Sequence, residues 1–243
     1  MLHKEAKTQC TSKAIFCIIG GFLAYMQLGV ALCIHANIQP YVANAFFPKT
    51  DEATRSYLNV DQIYESGLLS DFFYTYLVYA FCMVGMLIGL ACGKRFLKPN
   101  SHSRGAGGWK TKFSSPRMVY VVSSLLASIC MLGASFLVDA TFENRFWVYA
   151  VLMGFLNGLF SGVAYQAPML ACQVFFPDRK PLMGTILLLG SAVGIATYSG
   201  LTSYWASNCA IKCADLSYIL RNLFYCMLGQ CFFASIFISS PRH

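Results

Sequence analysis

Charged residues are scarce in this sequence. Only 12% of the 243 residues are Asp, Glu, Lys or Arg, and 57% are hydrophobic, whereas a soluble domain carries about 25% charged residues. Residues 14–48, for instance, contain no charged side chain at all. This shortage excludes an ordinary water-soluble domain and indicates that lipid surrounds most of the chain.

Catalytic and metal-binding patterns are also missing from the apolar stretches. The four histidines lie outside the interiors of these stretches, and no acidic residue lies within one. An intramembrane metal hydrolase needs an HExxH or similar arrangement inside a span, and a voltage sensor needs arginines repeated along one. We therefore expect no enzyme, no bound metal and no cofactor.

The eleven cysteines form no CxxC pair and no cluster with histidine. Most of them sit in or beside apolar runs, where cysteine behaves as a small hydrophobic residue. The spacing therefore predicts no zinc or redox site. Whether Cys209 and Cys213 form a disulfide is an open question, although a separation of four residues fits a disulfide poorly if that segment is helical.

Six uncharged apolar stretches are each about as long as the roughly 20 residues that a helix needs to cross a bilayer. We predict an all-α membrane protein in which a transmembrane bundle occupies residues 14–240. A polar tail precedes it, a basic loop lies between the second and third spans, and three residues follow it. The predicted tail, loop and end are 1–13, 94–117 and 241–243, and the predicted spans are 14–36, 72–93, 118–138, 146–175, 181–205 and 222–240.

Lysine and arginine are unevenly divided between the two sets of alternating loops. Thirteen of the 18 lie in the tail, the 94–117 loop, the turn at 178–180 and the final three residues. Because basic residues favour the cytoplasmic side, both termini are predicted to be cytoplasmic, in the plasma membrane or an organelle membrane. The net charge of +8 is thus a topology signal, and we expect no nucleic-acid partner. The 94–117 loop is either a cytoplasmic linker or a contact for anionic lipid headgroups.

The stretch between residues 154 and 194 predicts a helical hairpin. Glycines recur at intervals of four on both of its sides, which allows close helix packing in lipid. A short polar turn joins the two sides and forms a cytoplasmic elbow. The helix-packing glycines are Gly154, Gly158, Gly162, Gly190 and Gly194, and the elbow residues are Asp178, Arg179 and Lys180.

This hairpin resembles part of a known transporter family. The residues that carry the resemblance are Phe175-Phe176-Pro177-Asp178-Arg179-Lys180, Met183-Gly184 and Gly190-Ser191-Ala192-Val193-Gly194. They are similar to the turn after the fourth helix and to the fifth helix of the major facilitator superfamily, in its oxalate/formate antiporter and monocarboxylate porter branches. Gln27-Leu28-Gly29 and Gln39-Pro40 resemble the first helix of oxalate/formate antiporters. The resemblance covers nearly all of this sequence and the amino-terminal six-helix half of such a transporter.

The resemblance implies secondary transport of a small organic anion, a monocarboxylate or dicarboxylate, by alternating access. It also implies a second six-helix half, in cis or in trans, that supplies the cationic group for the anion. An amino-acid transporter of the same superfamily is an alternative. Another is a transport-incompetent half that serves as a membrane interaction partner.

Neutral polar residues inside the spans are the candidates for contact with the solute, because such groups usually face a cavity. Gln27 and His35 share one face of the first span, and Asn157, Ser161 and Tyr165 share one face of the fourth. The alternatives are an interhelical hydrogen bond for Gln27, an interfacial position for His35 and Tyr198, and a packing helix kinked at Pro168 for the fourth span. The predicted substrate-binding residues are Gln27, His35, Asn157, Tyr165, Gln166 and Tyr198.

Overall fold

The computed structural model describes residues 2–46, 69–97, 115–141, 143–208 and 216–238 of the chain. The regular structure of these residues is entirely helical, with no strand among them. Six long helical segments, span one to span six, make up the bundle. They are Leu2–Asn37, Leu69–Leu97, Pro116–Val138, Arg145–Phe175, Lys180–Asn208 and Leu216–Phe237.

Each of the six spans contains a stretch that is long and apolar enough to cross a membrane. In lipid a helix satisfies all of its backbone polar groups internally, so a long uncharged run adopts this form. The sequence prediction of an all-α protein with six such helices is confirmed for the described part of the chain.

The helices extend beyond the predicted apolar stretches at several ends. Span one begins at Leu2, so its helix includes the basic segment that was predicted to be a separate tail. A short helix, Gln39–Phe46, follows it in what was predicted to be loop. Span six begins at Leu216, six residues before the predicted start. Polar residues can continue a helix outside the hydrocarbon, so the end of an apolar run does not mark the end of the helix.

The spans pack in a definite set of pairs. The largest contacts join span one to span five and span two to span four. Span three packs on spans four and six, and span one also packs on spans four and six. Spans four and five, although adjacent in the chain, share a much smaller contact.

This set of pairs has an internal symmetry. Suppose that spans one, two and three exchange places with spans four, five and six. The pair one–five then becomes the pair four–two, and the pair three–four becomes the pair six–one. All four of these pairs are in contact in the bundle. The pairs one–four and three–six are each converted into themselves. The first three spans and the last three therefore occupy equivalent places in the bundle.

Spans that exchange with each other are also buried to similar extents. In spans one and four, 56% of the residues of the apolar stretch are buried, whereas spans two and five bury only 28% and 33%. Spans three and six lie between these values, with 50% and 39%. Spans one and four form the centre of the bundle, and spans two and five have the largest exposed faces.

Glycines bring spans two and four into backbone contact. A Cβ atom added at Gly158 would lie 2.9 Å from the backbone C and Cα of Cys82, and one added at Gly89 would lie 2.9 Å from the backbone C of Leu159. Gly154 and Gly162 lie against the same helix, at Val78 and Met86. The glycine stripe of span four thus packs on span two, where close approach replaces the hydrophobic effect as the source of attraction.

The glycines of span five pack on span one instead. A Cβ atom added at Gly194 would lie 2.7 Å from the backbone C and Cα of Met26, and one added at Gly190 would lie 2.6 Å from the carbonyl oxygen of Phe22. Gly29 of span one faces Ser191 and Gly194 in return. The glycine stripes on the two sides of the predicted hairpin therefore face different partner spans and do not face each other.

Span four departs from a regular α-helix near its start. Residues Ala150–Leu156 form a π-helical segment between two α-helical segments, Arg145–Tyr149 and Asn157–Phe175. π-Helical insertions widen the helix locally and occur often at functional sites. Pro168 lies inside the last segment. The elbow that follows is a 3₁₀ turn, Pro177–Arg179, and its residues have no buried side chain.

Candidate functional site

Gln27 lies in the interior of the bundle and bonds to span three. Its side chain is 3% exposed, and its Oε1 accepts a 2.5 Å hydrogen bond from the hydroxyl of Tyr120, which is fully buried. Burial of a neutral polar pair is tolerated because each group satisfies the other. This contact is the interhelical hydrogen bond that was one of the two interpretations of Gln27.

Tyr198 makes a corresponding link between spans five and six. Its hydroxyl donates to Oε1 of Gln230, and Nε2 of Gln230 donates to the carbonyl oxygen of Leu23 at 2.8 Å. Tyr198 is buried, with 6% exposure. The two side chains therefore join three spans, five, six and one, through a single chain of hydrogen bonds.

Tyr165 and Gln166 lie on neighbouring faces of span four. The Tyr165 ring packs on the Tyr25 ring with 4.5 Å between centroids, and the Tyr25 hydroxyl donates to the Tyr165 carbonyl oxygen at 3.3 Å. Gln166 is half-buried against span two, since a Cβ added at Gly93 would lie 3.1 Å from its Cγ. One residue thus contacts span one and the other contacts span two.

Asn157 and Ser161 form a polar pair within span four. Asn157 is fully buried, its Nδ2 lies 3.6 Å from Sδ of Met153, and its Oδ1 accepts a 3.2 Å hydrogen bond from Ser161. Asn157 is the first residue after the π-helical segment. Two residues of the polar stripe predicted on span four, Asn157 and Ser161, therefore face the inside of the bundle and are hydrogen-bonded to each other along the helix.

Three sequence predictions concern residues outside the described side chains. His35 belongs to the helix of span one, but its side chain is outside the description. Cys209 and Cys213 lie between the described residues of spans five and six, and most of the 94–117 loop lies between those of spans two and three.

Three of the candidate residues belong to three separate hydrogen-bonded groups. Gln27 pairs with Tyr120, Tyr198 with Gln230, and Asn157 with Ser161. All of these groups are neutral, so their chemistry is hydrogen bonding. In the described part of the chain, no three His, Cys, Asp or Glu side chains are grouped as metal ligands.

Sequence reasoning missed several partners of these residues. Gln230 is an amide inside an apolar run, the same signal that singled out Gln27, and could have been found in that way. Tyr120 could not, because a tyrosine near the end of a span is equally typical of the membrane interface. Arg145, which bonds to three backbone carbonyls, was counted only as a loop charge.

We predict that Gln27 and Tyr120 are energetically coupled. Gln27→Leu and Tyr120→Phe should each destabilise the folded bundle by about 0.6–1.7 kcal/mol, the range of interhelical hydrogen bonds in membranes. The double variant should lose less stability than the sum of the two single losses, because both single changes remove the same hydrogen bond. Detergent-induced unfolding of the four proteins measures this coupling.

The control combines Gln27→Leu with Arg221→Ala, since Arg221 pairs with Asp139 beyond the other end of span three. These two changes should add to within about 0.5 kcal/mol. Strict additivity of Gln27→Leu and Tyr120→Phe would contradict the hydrogen bond between them.

Comparisons of the chain with protein-family models, with curated proteins and with solved structures found no match.

Proposed function

We propose that this chain is a six-helix unit of a secondary transporter, equivalent to the amino-terminal half of a major facilitator protein, and that it takes part in moving a small organic anion by alternating access. The observation that carries the proposal is the symmetry of the helix contacts under exchange of spans one to three with spans four to six.

The symmetry has a specific meaning for a membrane protein. If consecutive spans cross the bilayer in alternate directions, spans one and four run in opposite directions, and so do the pairs two and five and three and six. The two sets of three then form an inverted repeat. Inverted repeats of three helices, nested within each six-helix half, are characteristic of major facilitator transporters.

The exposed faces of the spans support a cavity on one side of the bundle. The exposed residues of span three are almost all large and apolar, such as Val122, Leu126 and Ile129, as expected for a surface covered by lipid. Span five also exposes large apolar residues, such as Leu188 and Leu189, and adds small and polar ones, including Ala196, Thr197 and Ser203. The small and polar part of this surface suits contact with a water-containing cavity or with a second helical unit.

The orientation that we propose follows the positive-inside rule. Exposed basic side chains gather at one end of the described spans, at Lys94, Arg95, Arg117, Arg179 and Lys180. That end would be cytoplasmic, with the elbow between spans four and five projecting from the membrane. The elbow would then be free to move as two halves of a transporter rock about a central site.

An organic anion needs a cationic partner that lies at the depth of the site. All lysines and arginines in the described residues lie outside the apolar stretches or near their ends. We propose that a second six-helix half, in the same polypeptide or in a partner, supplies the missing cation. This distribution of charge also favours the second candidate function, a transport-incompetent unit that acts by packing against another membrane protein.

A counterflow assay in liposomes tests transport. Vesicles that contain the chain together with the six-helix half that supplies the cation, and that are loaded with oxalate, should accumulate radiolabelled oxalate or formate above protein-free vesicles. Thr197→Val should lower this uptake several-fold, because Thr197 is exposed near mid-depth of span five, where the solute sites of transporters lie. The measurement is the initial rate of accumulation.

Thr185→Val is the matched control. Thr185 is exposed on the same span but lies near its cytoplasmic end, and both threonine hydroxyls donate to the carbonyl oxygen four residues earlier. This variant should keep the uptake of the unchanged protein. Absence of flux together with a stable complex between the chain and another membrane protein would replace the transporter proposal with the second function.

A further inference from the structure

Two cysteine thiols from distant parts of the chain meet inside the bundle. Sγ of Cys17 in span one lies 3.9 Å from Sγ of Cys172 in span four, although 155 residues separate the two positions. The Cys172 thiol also donates to the carbonyl oxygen of Cys17 at 3.5 Å. Both side chains are fully buried, and the two sulfur atoms are not joined by a disulfide.

Gly21 makes room for this contact. It lies one helical turn after Cys17, and a Cβ atom at this position would be 3.1 Å from the sulfur of Cys172 and 2.7 Å from a methyl group of Leu187. A larger residue would crowd the Cys172 sulfur and the Leu187 side chain. The arrangement therefore depends on the close fit of spans one, four and five.

We propose that Cys17 and Cys172 are an oxidative modification site at which a disulfide joins span one to span four. The sulfur atoms of a disulfide are about 2.05 Å apart, so they must approach each other from their present separation of 3.9 Å. Rotation about the Cα–Cβ bonds moves each sulfur along an arc, and this is the motion that we propose shortens the separation.

The reaction is an oxidation by a small, uncharged peroxide. Hydrogen peroxide transfers one oxygen to the sulfur of one cysteine, which gives a sulfenic acid and one water molecule. The sulfur of the second cysteine then attacks this sulfur. The S–S bond forms as the S–O bond breaks, and the hydroxyl leaves with the thiol proton as a second water molecule. Two thiols are oxidised and one peroxide is reduced.

The product suits its surroundings. A disulfide carries no charge, whereas binding of a soft metal cation would require deprotonated thiols, and buried charges are costly in lipid. The bond would also connect the first set of three spans to the second. Cys17 lies near the start of the apolar stretch of span one, Ser12–Val30, and Cys172 lies three residues before the end of span four, so this covalent link would sit at the end of the bundle that carries the elbow.

The test oxidises the intact chain in vesicles and cuts it afterwards. A protease site inserted between residues 98 and 114 divides the chain into one piece with Cys17 and another with Cys172. After treatment with hydrogen peroxide, denaturation and cleavage, the two pieces should migrate together on a gel and separate when dithiothreitol is added. Peptide mapping should find Cys17 and Cys172 linked, with the loss of two hydrogen atoms.

Four variants identify the cysteines that take part. Cys17→Ser and Cys172→Ser should each abolish the linked band, whereas Cys82→Ser and Cys130→Ser, at buried positions in spans two and three, should retain it. If a variant does not fold, peptide mapping of the unchanged protein decides the question alone. Oxidation of the partly exposed Cys92 while Cys17 and Cys172 stay as thiols would overturn the proposal, and so would a linked band that survives in both variants.

Discussion

Gly194→Ala should separate spans one and five, whereas Gly200→Ala on the same span should leave the bundle intact. The alanine Cβ at residue 194 would lie 2.7 Å from backbone atoms of Met26, and still closer to its carbonyl oxygen. Backbone cannot turn aside as a side chain can, so the two helices must move apart. Overpacking of this kind costs about 1–3 kcal/mol, and the loss of neighbouring contacts along the helix adds to it.

Gly200 is an unusually close control for Gly194. It lies in the same helix, and an added Cβ would have no heavy atom within 4 Å. Alanine is favoured over glycine in a helix by about 1 kcal/mol, so this change should be neutral or slightly stabilising. The two substitutions are chemically identical and are expected to differ in sign.

Detergent-induced unfolding followed by circular dichroism measures both variants. Gly158→Ala in span four, where the clash is with the backbone of Cys82, should behave like Gly194→Ala, with Gly229→Ala as its control in span six. Equal stability of the Gly194 and Gly200 variants would show that span five does not pack on span one through this glycine.

Arg145→Ala should destabilise the protein by about 2–4 kcal/mol. The Arg145 guanidinium donates to the carbonyl oxygens of Val138 and Ala140 at 3.1 and 2.8 Å, and to that of Ala45 at 3.0 Å. It also lies over the Phe46 ring, 5.4 Å from its centroid. One side chain thus ties the end of span three and the short helix after span one to the start of span four.

The physical basis is the chemistry of helix carboxyl ends. The last carbonyls of a helix have no intrahelical donor, and a positive charge near them is favourable. A hydrogen bond to a charged group contributes about 1.5–3 kcal/mol. In the Arg145→Ala variant, water can donate hydrogen bonds to some of the carbonyl oxygens that Arg145 contacts. The expected loss of stability is therefore less than the sum of three hydrogen bonds. Arg145→Lys keeps the charge but not the planar set of donors, and its loss should be intermediate.

Arg221→Ala is the matched control for Arg145→Ala. Arg221 pairs with Asp139 at 3.0 Å, but the two side chains are 42% and 52% exposed. Exposed ion pairs contribute about 0–1 kcal/mol, so the expected loss is small. Thermal unfolding of the three arginine variants in the same detergent compares them. An Arg221→Ala loss as large as that of Arg145→Ala would contradict the carbonyl clamp.

The glycine stripes show which part of the helix packing could be predicted from the sequence. The spacing of Gly154, Gly158 and Gly162 predicted a close helix contact, and these residues do lie against the backbone of another span. Their partner was not predictable. The elbow makes spans four and five neighbours in the chain, but the stripes face spans two and one. Spacing specifies which face of a helix is small, and it carries no information about which helix will cover that face.

The polar residues show the same limit. Gln27 stood out because an amide is rare in an apolar run, and two interpretations of it were open. Its hydrogen bond to Tyr120 joins residues 93 positions apart, and no local pattern contains such a distance. The close approach of Cys17 and Cys172 is another example, since both had the ordinary features of small apolar residues.

The sequence by itself determined the number of spans and the fold class, because a long uncharged run in lipid has to satisfy its own backbone polar groups and so becomes a helix. It also determined which helix faces are narrow enough for close packing. Only the tertiary structure decided the pairing of the spans, their exchange symmetry, and the partners of Gln27, Tyr198, Arg145 and Cys172. Those contacts depend on how six helices fill space together, and that packing is a property of the whole bundle.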